Sequence, residues 1–273
     1  MTRRAAAVAL AGLLVTACGG SSGGAKALEE TQSNLEGIRS GTLSMLLLAS
    51  STTAAEGEGA GFNVEGPFAV GERKGALPVA DLKYTRITGG QRRTTRFVST
   101  GSRAFVEVDG RLTELNQSQL AGLRVQEEGS GGGLDGLSLR RWLDDTEVAP
   151  GPAVDGVATE QITGKADAVA ILNDVIALTE QFGASDGTVR KLEGDAAARV
   201  RKAVAGARAA VVTGKDDRLL RRADVTVDLA VTDPRVREAL GELAGARLTL
   251  ALEVRDLNRP VEVTVPQPQG GRR

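Results

Sequence analysis

Cys18 is the only cysteine in this chain of 273 residues, and the sequence contains no histidine. A single thiol cannot form a disulfide within the chain. Without histidine there is no Ser-His-Asp triad, no Cys-His dyad and none of the usual zinc sites. The candidate chemistry of Cys18 is therefore a modification of its own thiol, and we expect neither a catalytic site nor a cofactor.

The residues before Cys18 have the pattern of an export signal. Arg3 and Arg4 give a positively charged start, and residues 5–15 form an apolar run of signal-peptide length. This run is too short to cross a bilayer, which requires about 20 apolar residues. The segment "VTAC" resembles the bacterial lipobox, in which lipid is attached to the cysteine thiol and the chain is cleaved just before it. The alternative is an ordinary secretory signal with an incidental cysteine.

The lipobox resemblance implies that residues 1–17 are a lipoprotein signal peptide and that Cys18 becomes the acylated first residue. Residues 18–24 then form a flexible tether of small polar residues. Acyl chains such as palmitate stabilise membrane attachment by about 0.8 kcal/mol per buried CH2. The expected location is the outer face of the cytoplasmic membrane, reached by export and held by lipid.

Composition indicates a soluble globular domain with few aromatic residues. The net charge is −1, 41% of the residues are hydrophobic, and the aromatic residues are one Trp, one Tyr and five Phe. Because no basic stripe accompanies an aromatic platform, nucleic acid is not an expected partner. The core must be built mainly from Val, Leu, Ile and Ala.

From residue 41 the hydrophobic pattern has a period of two, and glycine-rich turns separate the apolar runs. The turn Asp109-Gly110 is the strongest short hairpin signal. These features predict an antiparallel meander with one dry and one solvated face. Further strands are predicted in the final third, at 223–231, 246–256 and 260–266.

Helical patterns interrupt these strands. The pattern predicts helices over about 25–37, 138–145, 166–182, 194–207 and 233–243, of which 166–182 has the clearest apolar stripe. The order of elements indicates an α+β fold in one domain over residues 25–266, followed by a disordered tail at 267–273.

Four segments together carry a family resemblance. They are the lipobox at Cys18, the helix near "LEETQSNLEGIRS", the central "VDGVATEQITGKADAVAILNDV" and the closing "RDLNRPVEVTVP". This set resembles the LppX/LprA/LprF/LprG family of mycobacterial-type lipoproteins and, more distantly, the LolA/LolB carriers. In the closing segment, Asp256, Asn258 and Pro260 match a turn that, in this family, leads into the last strand.

The resemblance implies a strongly curved antiparallel sheet, a half-open barrel with helices packed in its concave side. It also implies an apolar cavity that takes lipid or glycolipid acyl chains and carries or presents them in the cell envelope. The expected partners are such a lipid and the cytoplasmic membrane, and the chain is expected to be a monomer. The loop at 127–137 is a candidate gate. The expected lining residues are Leu47, Phe62, Val64, Phe68, Leu172, Val175, Ile176, Val225, Val227, Leu229, Leu248, Leu250 and Leu252.

Two other functions remain open at this point. The same apolar pattern fits a filled core, because each fully buried Leu or Val contributes about 1.5–3 kcal/mol without any ligand. The chain would then be a structural or scaffold lipoprotein that binds a protein partner. A hydrolase of envelope lipids is disfavoured by the missing histidine. Arg221 and Arg222, in the predicted turn "KDDRLLRR", fit a solvated face or contact with an anionic headgroup.

Overall fold

The computed structural model describes residues 21–51, 59–71, 76–121, 134, 136–181, 190–230, 234 and 245–265. Several predicted features lie outside these residues. They are the signal peptide, Cys18, most of the loop at 127–137, nearly all of the helix at 233–243 and the tail.

Eleven strands form one antiparallel sheet in the described part of the chain. They are β1 Ser40–Ser51, β2 Ala60–Ala69, β3 Val79–Thr88, β4 Gln91–Thr100, β5 Ala104–Val108, β6 Arg111–Glu114, β7 Leu143–Pro150, β8 Thr159–Ala166, β9 Val204–Gly214, β10 Leu220–Leu229 and β11 Ala246–Arg255. Their order is β6-β5-β4-β3-β2-β1-β11-β10-β9-β8-β7. Because β6 and β7 do not pair with each other, the sheet is open.

Four described helices accompany the sheet. They are α1 Ser21–Ser33, α2 Gln117–Ala121, α3 Ala168–Gln181 and α4 Gly194–Ala203, with 3-10 turns at Leu35–Gly37 and Leu139–Arg141. The α+β class predicted from the sequence is thus confirmed. Within the described ranges, no helix combines the length and apolar character needed to span a bilayer.

Strand alternation gives the sheet one apolar face. In β1 the side chains of Leu43, Met45 and Leu47 are buried and Ser44 is exposed. Leu47 pairs with Leu250 of β11, which in turn pairs with Val225 of β10. Directly paired residues point to the same side, so the alternation is kept across the strands. Buried side chains of α1, α3 and α4 belong to the same apolar cluster as this face.

Two predicted helices are shorter than expected because their last predicted residues pair as strands instead. The prediction at 138–145 yields only a 3-10 turn, after which Leu143 already pairs with Ala166 of β8. The prediction at 194–207 ends at Ala203, where β9 begins. The small residues of β9 give no clear apolar alternation, but both of its neighbours, β8 and β10, are hydrogen-bonded to it.

The predicted last strand at 260–266 is wrong for its described residues. Residues 261–265 form no strand, because β11 is already paired on both sides and has no free edge. The turn before them is as expected, with positive φ at Asp256 and Asn258. The Asn258 amide donates to the Gly37 carbonyl oxygen at 2.9 Å and accepts from the Arg39 N–H at 2.8 Å.

The β5–β6 hairpin has the predicted two-residue turn. Asp109 and Gly110 both have positive φ, of 50° and 75°. We expect Gly110→Ala to lower the free energy of unfolding by about 1–2 kcal/mol, because a Cβ disfavours this backbone conformation. Urea unfolding should show the loss. Gly206→Ala, in β9 at ordinary φ, should cost nothing, because a Cβ there would make only an ordinary contact with the Asp228 Oδ2 atom at 3.8 Å. An equal loss in both variants would contradict the backbone explanation.

Candidate functional site

The expected lining residues lie together, but in a packed core. Apart from Phe68, which is half-buried, each is at most 5% exposed, and all of them belong to one apolar cluster. Val227 is 0% and Leu250 is 1% exposed. A side chain that faces a space wide enough for water keeps accessible surface, so these residues pack on protein atoms in this conformation.

A buried carboxylate fixes α3 to the segment that precedes β7. The Asp174 Oδ2 atom accepts from the Ser138 N–H at 2.6 Å and from the Trp142 Nε1–H at 2.7 Å. The Arg141 Nη2 atom lies 3.6 Å from Oδ1. Trp142 is fully buried and Asp174 is 5% exposed. The sequence carries no sign of this arrangement, since neither residue belongs to a motif.

The apolar face of the sheet continues beyond the packed core onto β3, β4 and β5. Leu82, Phe97 and Val106 are paired side by side across these strands and are half-buried. In the next row toward the hairpin tips, Tyr84 pairs with Thr95, which pairs with Val108. Val108 is 40% exposed. We call the five residues Leu82, Tyr84, Phe97, Val106 and Val108 the open apolar face.

A groove of about 780 Å³ lies at the outer end of this face. Its lining residues are Val106, Val108, Asp109, Arg111, Thr113, Leu115 and Gln119. Helix α2 borders the groove, and its Leu120 packs with Leu77 and Ala104 in a small second core. The groove therefore combines apolar walls from β5 with polar groups from β6 and α2.

Tyr84 connects the open apolar face to the packed core. Its ring stacks on that of Phe62, with 5.7 Å between centroids and 27° between planes. Burial raises the pKa of the Tyr84 hydroxyl above its usual value, and the nearby Arg86 charge opposes the shift. The hydroxyl therefore stays neutral at physiological pH and leaves the apolar face uncharged.

The hairpin that joins β3 to β4 adds positive charge above the open apolar face. Arg86 pairs directly with Arg93, one row beyond Tyr84 and Thr95, and both arginines are exposed. By contrast, the arginines singled out from the sequence are neutralised. Arg221 is buried against Asp217, and Arg222 pairs with Asp224 at 2.6 Å.

The described residues contain no group of three or more His, Cys, Asp or Glu side chains that could hold a metal ion. Together, these features give a surface that can hold an amphipathic molecule by contact. Its apolar rows accept hydrocarbon, and its arginines accept negative charge.

No protein-family model and no curated protein sequence matches this chain. Some solved protein structures do match this chain, and two of them are mycobacterial lipoproteins. LppX from Mycobacterium tuberculosis is 13% identical, with a TM-score of 0.42 over 89% of this chain and 99% of that one. LprF from Mycobacterium bovis is 14% identical, with a TM-score of 0.43 over 92% and 99%.

A LolA superfamily protein from Nitrosomonas europaea also matches, at 8% identity and a TM-score of 0.23 over 85% of this chain and 93% of that one. The resemblance to LppX and LprF named from the sequence is thereby confirmed.

Proposed function

We propose that this protein is a membrane-anchored lipoprotein that binds lipid acyl chains and carries or presents them in the cell envelope. The observation that carries the proposal is the open apolar face. There, Leu82, Phe97 and Val106 extend the core surface outward and end at the exposed Val108. The proposed role is binding and transfer without chemistry, consistent with a sequence that contains no histidine.

An acyl chain is the occupant that this surface favours. Each CH2 group that leaves water contributes about 0.8 kcal/mol, so a long chain gains substantially from a continuous apolar row. Contiguous exposed apolar surface rimmed by polar residues is typical of binding sites. In this protein the rim contains Arg111, Thr113 and Gln119, which line the groove beside Val106 and Val108.

We also propose an order of binding, which the packed core supports. The open apolar face meets the first acyl chain, and Tyr84 stacked on Phe62 marks the boundary with the expected lining residues. We propose that those residues line a cavity on the concave side only after α3 moves away from the sheet. The Asp174 contacts with Ser138 and Trp142 hold the closed form.

One observation favours the scaffold alternative. The near-complete burial of residues such as Val227 and Leu250 is that of a filled core. A filled core that does not open would leave a lipoprotein that binds a protein partner through its surface. The two functions differ in whether the purified protein holds hydrocarbon.

We expect the signal-free Cys18→Ala protein to release a stoichiometric apolar passenger on lipid extraction and to take up a fluorescent fatty-acyl probe. Native mass spectrometry of the gently purified protein should show the passenger before extraction. A clean apo mass together with no probe uptake would reject the carrier function and favour the scaffold.

Val108→Glu should weaken binding of that probe by about tenfold or more, because an acyl chain would desolvate the new carboxylate. The matched control is Val157→Glu. Val108 and Val157 are 40% and 36% exposed, and Val157 lies in the connection between β7 and β8. Both variants should keep the wild-type stability within about 0.5 kcal/mol. Equal probe affinity in the two variants would place the binding site elsewhere.

A further inference from the structure

Arg86 and Arg93 form a like-charged pair directly across the β3–β4 hairpin. In such pairs the Cβ atoms are about 4.5–5.5 Å apart, and like charges destabilise the sheet. Both residues are exposed and lie at the end of the hairpin closed by Gly89 and Gly90. The strands thus hold two arginine side chains on directly opposite positions, which like charge disfavours.

No acidic side chain among the described residues forms an ion pair with Arg86 or Arg93. Within the paired rows of β2 to β5, the nearest acids lie on the opposite face. The row Glu65, Lys83, Arg96 and Glu107 occupies the opposite face, and there Arg96 already contacts Glu107 and Asp81. On its own face, Arg86 is flanked instead by the buried ring of Phe62 in β2.

We propose that Arg86 and Arg93 bind the phosphate of an anionic lipid headgroup whose acyl chains lie on the open apolar face. This inference rests on the proposed function and names its ligand class. Two planar guanidinium groups are well suited to share a phosphate, because each presents paired N–H donors that match its oxygens. A bound phosphate also removes the repulsion that the pair carries when free.

Along these strands, the rows of side chains change from charged to apolar in the same order as the parts of a phospholipid, from headgroup to acyl chain. The arginine row comes first, then the row of Tyr84, Thr95 and Val108, and then the fully apolar row that contains Phe97. Arg93 and Phe97 are four residues apart on one strand, which is about 13 Å at 3.3 Å per residue. That distance separates a headgroup phosphate from the upper part of its acyl chains.

The test compares neighbouring arginines that lie on opposite faces of one hairpin. Arg92 is exposed next to Arg93 but lines a pocket on the other face, with Leu46 and Asn63. Arg93→Gln and Arg92→Gln therefore remove the same charge from the same strand. The ligands are monomeric short-chain phosphatidic acid and phosphatidylcholine with identical acyl chains, and inorganic phosphate serves as a third.

The wild type should bind phosphatidic acid about tenfold more tightly than phosphatidylcholine, a difference of about 1.4 kcal/mol. Arg93→Gln and the double variant Arg86→Gln/Arg93→Gln should lose that preference and keep the phosphatidylcholine affinity. Arg92→Gln should bind as the wild type does. The melting temperature of Arg93→Gln should not fall, because the change removes a like-charge contact, so lost binding would not reflect unfolding.

Four results would overturn the inference. Equal affinity of the wild type for both lipids would remove the headgroup site while leaving the proposed function intact. An equal loss in Arg92→Gln would indicate diffuse charge attraction. Inorganic phosphate binding as tightly as phosphatidic acid would indicate a free-phosphate site. Failure to bind either lipid would reject the proposed function itself.

Discussion

Asp174→Ala is expected to lower the free energy of unfolding by about 3–5 kcal/mol. The change leaves the buried Trp142 Nε1–H and the Ser138 N–H without their acceptor. It also removes the partner carboxylate of Arg141. Each buried donor left unpaired costs about 1–3 kcal/mol, and the deleted side chain leaves a gap beside α3.

Urea unfolding of the signal-free protein measures this effect, and Trp142, the only tryptophan, supplies the fluorescence signal. Asp144→Ala is the matched control, because Asp144 is exposed on β7 and should shift stability by no more than about 0.5 kcal/mol. Asp174→Asn keeps one acceptor oxygen, so its loss of stability should lie between the losses of Asp174→Ala and Asp144→Ala. A loss below about 1 kcal/mol in Asp174→Ala would mean that water replaces the carboxylate and that α3 is not held by it.

If α3 must move for acyl chains to reach the core, Asp174→Asn should also accelerate uptake of the fluorescent probe. The weaker hold on α3 raises the population of the open form, as expected for a two-state equilibrium. Stopped-flow mixing at a temperature well below unfolding would measure the rate. An unchanged rate would confine binding to the open apolar face.

Cys18→Ala is expected to abolish attachment of the full-length protein to the membrane. The lipobox resemblance implies that the Cys18 thiol is the acylation site, so the variant would lack the acyl chains that hold the protein at the membrane. Labelled palmitate should enter the wild type and not the variant, and the variant should leave the membrane fraction. Ser22→Ala, at the second residue of α1, should be labelled and fractionate as the wild type does. Equal labelling of wild type and Cys18→Ala would reject the anchor.

Much of the sheet is predictable because local pattern and pairing agree. In β1 and β11, strict alternation identified the strands and their buried faces. β9 was missed since its "AVAGARAAVV" region contains small residues without clear alternation, and its pairing with β8 and β10 decides its conformation. Conversely, Val261, Val263 and Val265 alternate as a strand would, but no free strand edge lies beside β11 to pair with them.

The candidate site was less predictable because a core and a cavity wall require the same residue types. Leu250 and Val225 fit either, and only their packing separates the two. The Arg86–Arg93 pairing, however, can be predicted from the sequence. A two-residue turn at Gly89-Gly90 sets Thr88 opposite Gln91, and counting outward places the two arginines opposite each other.

The two unpaired edges, or margins, of the sheet determine whether copies of this protein can pair strand to strand. At β7, helix α1 comes so close that a Cβ on Gly24 would lie 2.6 Å from the Thr146 carbonyl oxygen. At the other margin, β6 is only four residues long and carries the charged Arg111 and Glu114. Short, charged or covered margins resist strand addition. Many copies tethered side by side would therefore stay separate molecules rather than join into a shared ribbon.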